Sequence, residues 1–175
     1  IPEWAPNKIV YQIFPSRFAT TKDVPCDVWY KTPITHKDNL QGDLRGIINH
    51  LDHIKELGVD LIYMTPIFMS DSSHKYDTID YYKIDPSFGT EEDLKELVQK
   101  AHSMGIKVML DAVFNHTSPK FFAFDDVKKN EEKSKYLDWY YTKEEKGTYK
   151  RCSRCGAIKL ANNKYFSFNN TSKDG

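Results

Sequence analysis

Apolar residues along this chain follow two kinds of spacing. Three runs are short and nearly continuous: Ile9-Val10-Tyr11-Gln12-Ile13-Phe14, Val59 to Met64, and the stretch that opens at Lys107-Val108-Met109-Leu110. Runs of that length, bounded by turn signals and rich in β-branched and aromatic residues, read as strands. An apolar run with no polar alternation further suggests burial on both faces, as in a parallel sheet. Between the runs the spacing becomes helical. Leu44, Ile47, Ile48, Leu51 and Ile54 share one face, and so do Leu94, Leu97, Val98, Ala101 and Met104.

The helix ends carry their own signals. Asp43 can cap the first helix, and Gly58 suits the position just past its end. Thr90 can cap the second, with Asp93 three residues on as in a capping box, and Gly105 closes it. At the offset between Gly58 and Gly105, Ile47, Leu51, Ile54 and Leu57 fall on Leu94, Val98, Ala101 and Met104. A repeated helix–Gly–strand cadence predicts parallel strands joined by right-handed crossovers. No G-x-G-x-x-G follows any strand, so the dinucleotide-binding fold lacks its fingerprint. An α/β architecture of the (β/α)8 TIM-barrel type is the leading expectation. Ser16 to Gln41 and Pro66 to Gly89 are expected as loops. Residues 1–116 are expected to form part of the barrel, and residues 117–175 an excursion after the third strand. Within that excursion, Phe121 to Tyr141 should hold one or two short helices, Gly147 to Gly175 carries no helical stripe, and a small β element is expected somewhere in residues 117–175.

In parallel α/β folds, ligands bind at the carboxyl ends of the strands. The third run ends in Asp111-Ala112-Val113-Phe114-Asn115-His116, which sets a carboxylate, an amide and an imidazole there. A carboxylate at the end of a buried strand is costly unless something pairs with it. The plainer account is structural: Asp111 capping a turn and His116 a core histidine. The loop after the second strand, however, carries His74-Lys75-Tyr76-Asp77-Thr78 on the same rim. An aromatic ring beside a carboxylate and an imidazole suits a sugar, whose apolar face packs on the ring while its hydroxyls take the polar groups. A tyrosine-rich loop packed over the sheet is again the plainer account, but two such clusters on one rim favour binding.

Composition narrows the partners. The 175 residues include 25 basic and 25 acidic side chains, so the net charge is zero. That gives no electrostatic case for nucleic acid or an anionic membrane surface. No apolar stretch is long enough to span a bilayer. Three cysteines argue against a disulfide scaffold and make a reducing, cytoplasmic compartment the default. Cys152-Ser153-Arg154-Cys155 looks like half a zinc knuckle, but tetrahedral zinc needs four ligands.

Four ordered motifs carry a family resemblance: Tyr11-Gln12-Ile13-Phe14-Pro15-Ser16-Arg17-Phe18, Gly42-Asp43-Leu44-Arg45-Gly46-Ile47, His74-Lys75-Tyr76-Asp77-Thr78 and Asp111-Ala112-Val113-Phe114-Asn115-His116. The chain resembles the alpha-amylase family of glycoside hydrolases, within it the neopullulanase, cyclomaltodextrinase and maltogenic amylase group. The resemblance implies that Tyr76 stacks on the sugar just before the cleaved bond, that His74 lines the same subsite, and that His116 hydrogen-bonds that sugar's hydroxymethyl group. Asp77 would contact sugar hydroxyls or an arginine. Asp111 would orient an arginine from the fourth strand, and Asn115 would support the loop after the third. The substrate class implied is an α-glucan, pullulan or a cyclodextrin, and dimer contacts typical of the group allow a homodimer.

The family cleaves α-glucosidic bonds with retention, using an aspartate nucleophile and a glutamate acid/base that follow the fourth and fifth strands. No fourth-strand motif follows His116. The implied reading is a piece of such an enzyme without its catalytic carboxylates, or else a non-catalytic α-glucan-binding or scaffold protein of the same fold. Some relatives bind calcium in the loop after the first strand. Here Asp23, Asp27, Asp38 and Asn39 offer oxygens, but Pro25, Cys26 and Trp29 interrupt them and the alternating Asp/Asn/Gly loop is absent. No metal or other cofactor is therefore expected.

Overall fold

The computed structural model describes residues 2–35, 38–140, 148–151 and 158–161. In chain order its elements are β1 (Val10–Ile13), two single-turn helices α1 (Pro15–Phe18) and α2 (Cys26–Trp29), α3 (Leu44–Asn49), α4 (Leu51–Glu56), β2 (Leu61–Met64), β3 (Phe68–Met69), β4 (Asp80–Ile84), α5 (Glu91–Ser103), β5 (Lys107–Leu110), α6 (Phe122–Asn130), 3-10 turns at Glu131–Lys133 and Leu137–Trp139, β6 (Thr148–Arg151) and β7 (Ile158–Ala161). Contacts divide the chain into two compact units, Ile1–Val113 and Phe114–Gly175.

The first unit is built on a parallel sheet ordered β1-β2-β5. Ile13 pairs with Met64, and Met64 with Leu110. One face of the sheet packs on the helices. Ile13, Ile62 and Met64 are buried with Leu44, Ile47, Leu51 and Ile54 from α3 and α4 and with Leu97 and Ala101 from α5. Tyr11, Val108 and Leu110 lean on the same cluster. Strand side chains alternate, so Val10, Tyr63 and Met109 take the other face. That face is partly open among the described residues: Val10 is 52% exposed and Met109 43%, although Leu61 on it is buried.

The helix signals hold in detail. The Asp43 carboxylate accepts the Gly46 N–H at 2.6 Å. Thr90 and Asp93 form a reciprocal capping box. Gly58 and Gly105 sit at φ +75 and +77, a backbone region that disfavours any Cβ. Gly46 has a different reason: a Cβ there would meet the Ala19 carbonyl oxygen at 2.3 Å, so only glycine lets α3 lie against that loop.

Besides the two single-turn helices α1 and α2 in the stretch Ser16 to Gln41 expected as a loop, two expectations needed correction. The first helical stripe is not one helix but breaks at His50, between α3 and α4. The His50 ring Nδ1 takes the Gly46 carbonyl at 2.8 Å, while the His50 backbone N–H bonds to Ile47, a tighter turn. The side chain has taken the carbonyl that an unbroken helix would give to the backbone. The segment expected as a loop after β2 also holds an antiparallel hairpin, β3–β4, whose register shifts between Phe68 and Met69. A two-residue strand with an irregular register has no period to read.

In the second unit α6 is followed by the two 3-10 turns. Rings of Phe122, Tyr136 and Trp139 pack edge to face at 5.1–6.3 Å. β6 and β7 pair antiparallel, the small β element expected there. Cys152 and Cys155 lie outside the described residues, whereas Cys26 is an exposed free thiol. Among the described residues, no helix is long and apolar enough to cross a membrane.

Candidate functional site

β2 and β5 run parallel with Tyr63 opposite Met109, so Asp111, two residues past Met109, emerges on the same face as Tyr63. The Asp111 backbone N–H still bonds to the Met64 carbonyl at 3.1 Å, which fixes the carboxylate at the strand end. The Tyr63 hydroxyl donates to it at 2.7 Å. The phenol of Tyr76, arriving from the loop between β3 and β4, stands near the same carboxylate and Tyr63 and interacts with both. Three polar groups thus converge at the carboxyl end of two neighbouring strands.

Their electrostatics follow from that convergence. Burial, then the Asp111 carboxylate, holds the Tyr76 phenol well above the ordinary phenol range. The hydrogen bond to Asp111, then burial, raises Tyr63 as well. Both tyrosines therefore stay neutral at any physiological pH, and Tyr63 keeps its proton directed at the carboxylate.

The loop that delivers Tyr76 is tightly tied. His74 and Tyr76 are half-buried, with ring centroids 5.8 Å apart, and the Tyr76 N–H donates to His74 Nδ1 at 3.1 Å. Lys75 and Asp77, in alternation with them, are buried. The Asp77 carboxylate accepts from the Ser70 hydroxyl at 2.5 Å and from the Ser72 hydroxyl. Its hydrogen bonds therefore go inward to the loop's own serines, where the motif resemblance implied sugar hydroxyls or an arginine. The Tyr81 hydroxyl of β4 donates to the Val113 carbonyl, tying the hairpin to the segment after Asp111.

The first unit thus brings together His74, Tyr76 and Asp111, with Asp77 behind them. Asn115, exposed, and His116, half-buried, belong to the second unit, on the stretch before α6. Sequence reasoning missed Tyr63. Its signal was available: a hydroxyl-bearing ring inside the apolar run from Val59 to Met64, on the face that also carries Asp111.

In the loop after β1, Asp38 is already engaged. Asp38 accepts from the Lys31 ammonium at 2.5 Å and from the Thr35 N–H and hydroxyl at 2.7 and 2.8 Å, so a lysine already holds the place a cation would take. Among the described residues, no three His, Cys, Asp or Glu side chains gather as a metal site.

A family model for the alpha-amylase catalytic domain matches residues 12–172. The chain belongs to the alpha-amylase family. It is 54% identical over 143 residues to a cyclomaltodextrinase of Thermoanaerobacter pseudethanolicus, a match covering 79% of this chain and 25% of that protein. It is 49% identical over 144 residues to neopullulanase 2 of Thermoactinomyces vulgaris, covering 80% of this chain and 26% of that one. Among solved structures it superposes on the cyclic alpha-maltosyl-(1→6)-maltose hydrolase of Arthrobacter globiformis in complex with maltose, with a TM-score of 0.76 at 40% identity, covering 93% of this chain and 39% of the other. This alpha-amylase-family chain spans about a quarter of the length of the curated relatives it matches. Its β1, β2 and β5 are the first three strands of a (β/α)8 barrel, and the Tyr63–Tyr76–Asp111 cluster lies at their carboxyl ends.

Proposed function

We propose that this chain supplies the sugar-binding rim of a retaining glycoside hydrolase acting on α-glucosidic bonds of starch-like glucans, pullulan or cyclodextrins. The observation that carries the reading is the half-buried Tyr76 ring held against Asp111 and Tyr63 at the strand ends. A flat ring fixed at that rim offers a stacking face for a pyranose, and its phenol is used for anchoring rather than left to solvent. With the Tyr63 phenol donating to it and Tyr76 beside it, Asp111 is oriented and keeps lone pairs for an arginine or a sugar hydroxyl. His74 lines the same subsite, and Asp77 supports it from behind through Ser70 and Ser72. The family resemblance assigns His116 to the sugar's hydroxymethyl group and Asn115 to support of its own loop.

Retention requires two carboxyl groups about 5–5.5 Å apart across the bond, one as nucleophile and one as acid/base. The family takes these from the fourth and fifth strands, and this chain is assigned neither. A cytoplasmic setting agrees with the exposed free thiol of Cys26. A homodimer is carried over from the group.

The test compares a full-length protein carrying this segment with the 175-residue segment alone, on β-cyclodextrin, pullulan and soluble starch. Hydrolysis with retention by the former and none by the latter is expected. Turnover by the segment, abolished in Asp111→Asn, would overturn the assignment. A full-length protein that binds glucan without cleaving it would favour the second reading, a non-catalytic α-glucan-binding scaffold of the same fold.

Tyr63→Phe gives a sharper check within the full-length protein. It removes the hydroxyl that donates to Asp111 and leaves the ring, so kcat/KM should fall roughly tenfold, the scale of one hydrogen bond to a charged group. Unchanged kinetics would mean that Tyr63 does not orient that carboxylate.

A further inference from the structure

Lys75 sits between the two residues assigned to the sugar, yet its side chain turns the other way. It is 6% exposed. Its ammonium lies 2.7 Å from the Asp85 carboxylate and 3.0 Å from the Ser70 carbonyl, and 5.7 Å from the centre of the Phe88 ring. Lysine is almost never buried unless it is paired, and here the pairing is complete. Its backbone stands at φ +61, a left-handed conformation uncommon for a residue with a side chain. Such a conformation persists only where its surroundings over-determine it.

The surroundings form one knot. Ser70, just past β3, donates its N–H to Asp85 at 3.2 Å and its hydroxyl to Asp77 at 2.5 Å, while its carbonyl takes Lys75. Asp85, just past β4, also accepts the Ser87 N–H at 3.0 Å and hydroxyl at 2.6 Å. The base of the hairpin therefore grips its tip through the Lys75 ammonium. With residue 75 pinned inward in a left-handed turn, residues 74 and 76 are left half-buried on either side of it, and the His74 ring meets the Ser72 hydroxyl at 3.2 Å. The turn brings the Tyr76 N–H to the His74 ring and the Tyr76 phenol to Asp111.

We infer that Lys75 is a positioning residue for the sugar subsite: its ammonium, clamped between the Ser70 carbonyl and the Asp85 carboxylate, fixes the turn that presents the His74 imidazole and the Tyr76 ring to a glucose-configured pyranose. The inference rests on the reading of His74 and Tyr76 as that subsite. Lys75 itself touches no sugar. It sets how much of the ligand's binding is already organised before the ligand arrives, so its loss falls on KM and on small-ligand affinity as well as on thermal stability.

The experiment uses the full-length protein with β-cyclodextrin as substrate and deoxynojirimycin, a glucose-configured iminosugar that fills a single subsite, as the binding probe. Four variants are compared: Lys75→Met, Lys75→Gly, Lys75→Arg and Tyr76→Ala. Lys75→Gly tolerates the left-handed backbone but lacks the ammonium, so it separates the clamp from the turn's intrinsic preference. Each is assayed well below its melting temperature, with the folded fraction checked by circular dichroism. We expect Lys75→Met and Lys75→Gly to raise KM and the deoxynojirimycin Ki roughly tenfold or more, with a smaller change in kcat. Lys75→Arg, which keeps the charge, should recover part of the loss. A merely structural lysine would lower the melting temperature and leave Ki and KM of the folded protein unchanged. That result, beside an impaired Tyr76→Ala, overturns the positioning role and spares the subsite. Wild-type kinetics in Tyr76→Ala overturn both. If Lys75→Met does not fold, Lys75→Gly and Lys75→Arg decide by the same two constants.

Discussion

Tyr76→Ala in a full-length protein carrying this segment is expected to lower kcat/KM on a cyclodextrin by tenfold at the least, and by more if both roles of the residue count. Two losses combine. The stacking face goes, on the order of 1 kcal/mol or more. The phenol beside Asp111 and Tyr63 goes as well, and a lost hydrogen bond there would contribute about 0.5–1.5 kcal/mol. Each 1.4 kcal/mol or so is tenfold in kcat/KM. Tyr76→Phe separates the two: it keeps the ring and loses only the hydroxyl, so it should fall between wild type and alanine. Equal effects of Phe and Ala would assign the whole contribution to the hydroxyl. Wild-type kinetics in both would remove Tyr76 from the subsite.

The same cluster fixes a pH signature. Tyr63 and Tyr76 are both raised above the ordinary phenol value of 10.0. A raised phenol favours the protonated, folded state, so its stabilising contribution is complete below pH 10 or so and is lost only as pH climbs through the higher folded values. Neither tyrosine should impose any pH dependence on binding near neutrality. In Asp111→Asn the carboxylate contribution disappears, and absorbance titration at 295 nm should find Tyr63 ionising at lower pH than in the wild type.

What was legible in the chain was local. A cap needs only the residues three positions on, so Asp43 with Gly46 and Thr90 with Asp93 could be read directly. Gly58 and Gly105 announce left-handed turns by having no alternative cheap residue. What escaped depends on partners distant in sequence or on competition between side chain and backbone. His50 breaks its helix because its ring takes a carbonyl, a choice that a stripe of apolar positions does not encode. The β3–β4 hairpin is held largely by what surrounds it, from Ser70 and Asp85 to Tyr81 on the Val113 carbonyl. Tyr63 belongs to the site only because β2 and β5 pair in a register that sets it beside Asp111. Asp77 carries the same motif letters as its neighbours, yet alternation along the loop turns it inward with Lys75 while His74 and Tyr76 stay half-buried.

The 175-residue segment produced alone is expected to self-associate. Its described parallel sheet ends in β1 on one side and β5 on the other, each with an outer edge that pairs with no described strand. An unpaired edge offers a row of N–H and C=O groups to any other chain. Parallel sheets are covered on both faces almost without exception, and here the face opposite the helices leaves Val10 52% and Met109 43% exposed. Burying either side chain is favourable by about 1.5–3 kcal/mol, so association gains on the face as well as on the edge. Lys107 is a charge that could guard an edge, but it stands at the first residue of β5 with its ammonium 5.0 Å from the Trp4 ring, which leaves the rest of the strand unguarded. Light scattering on a sizing column should therefore report masses above the 20.4 kDa monomer, rising with concentration. Met109→Lys and Val10→Lys, which charge the open face without touching the helix-side core, should shift the population back toward monomer. A monodisperse 20.4 kDa species with a sharp cooperative melt would mean that the three-stranded unit is self-sufficient, and the reading of its open face as barrel interior would fail.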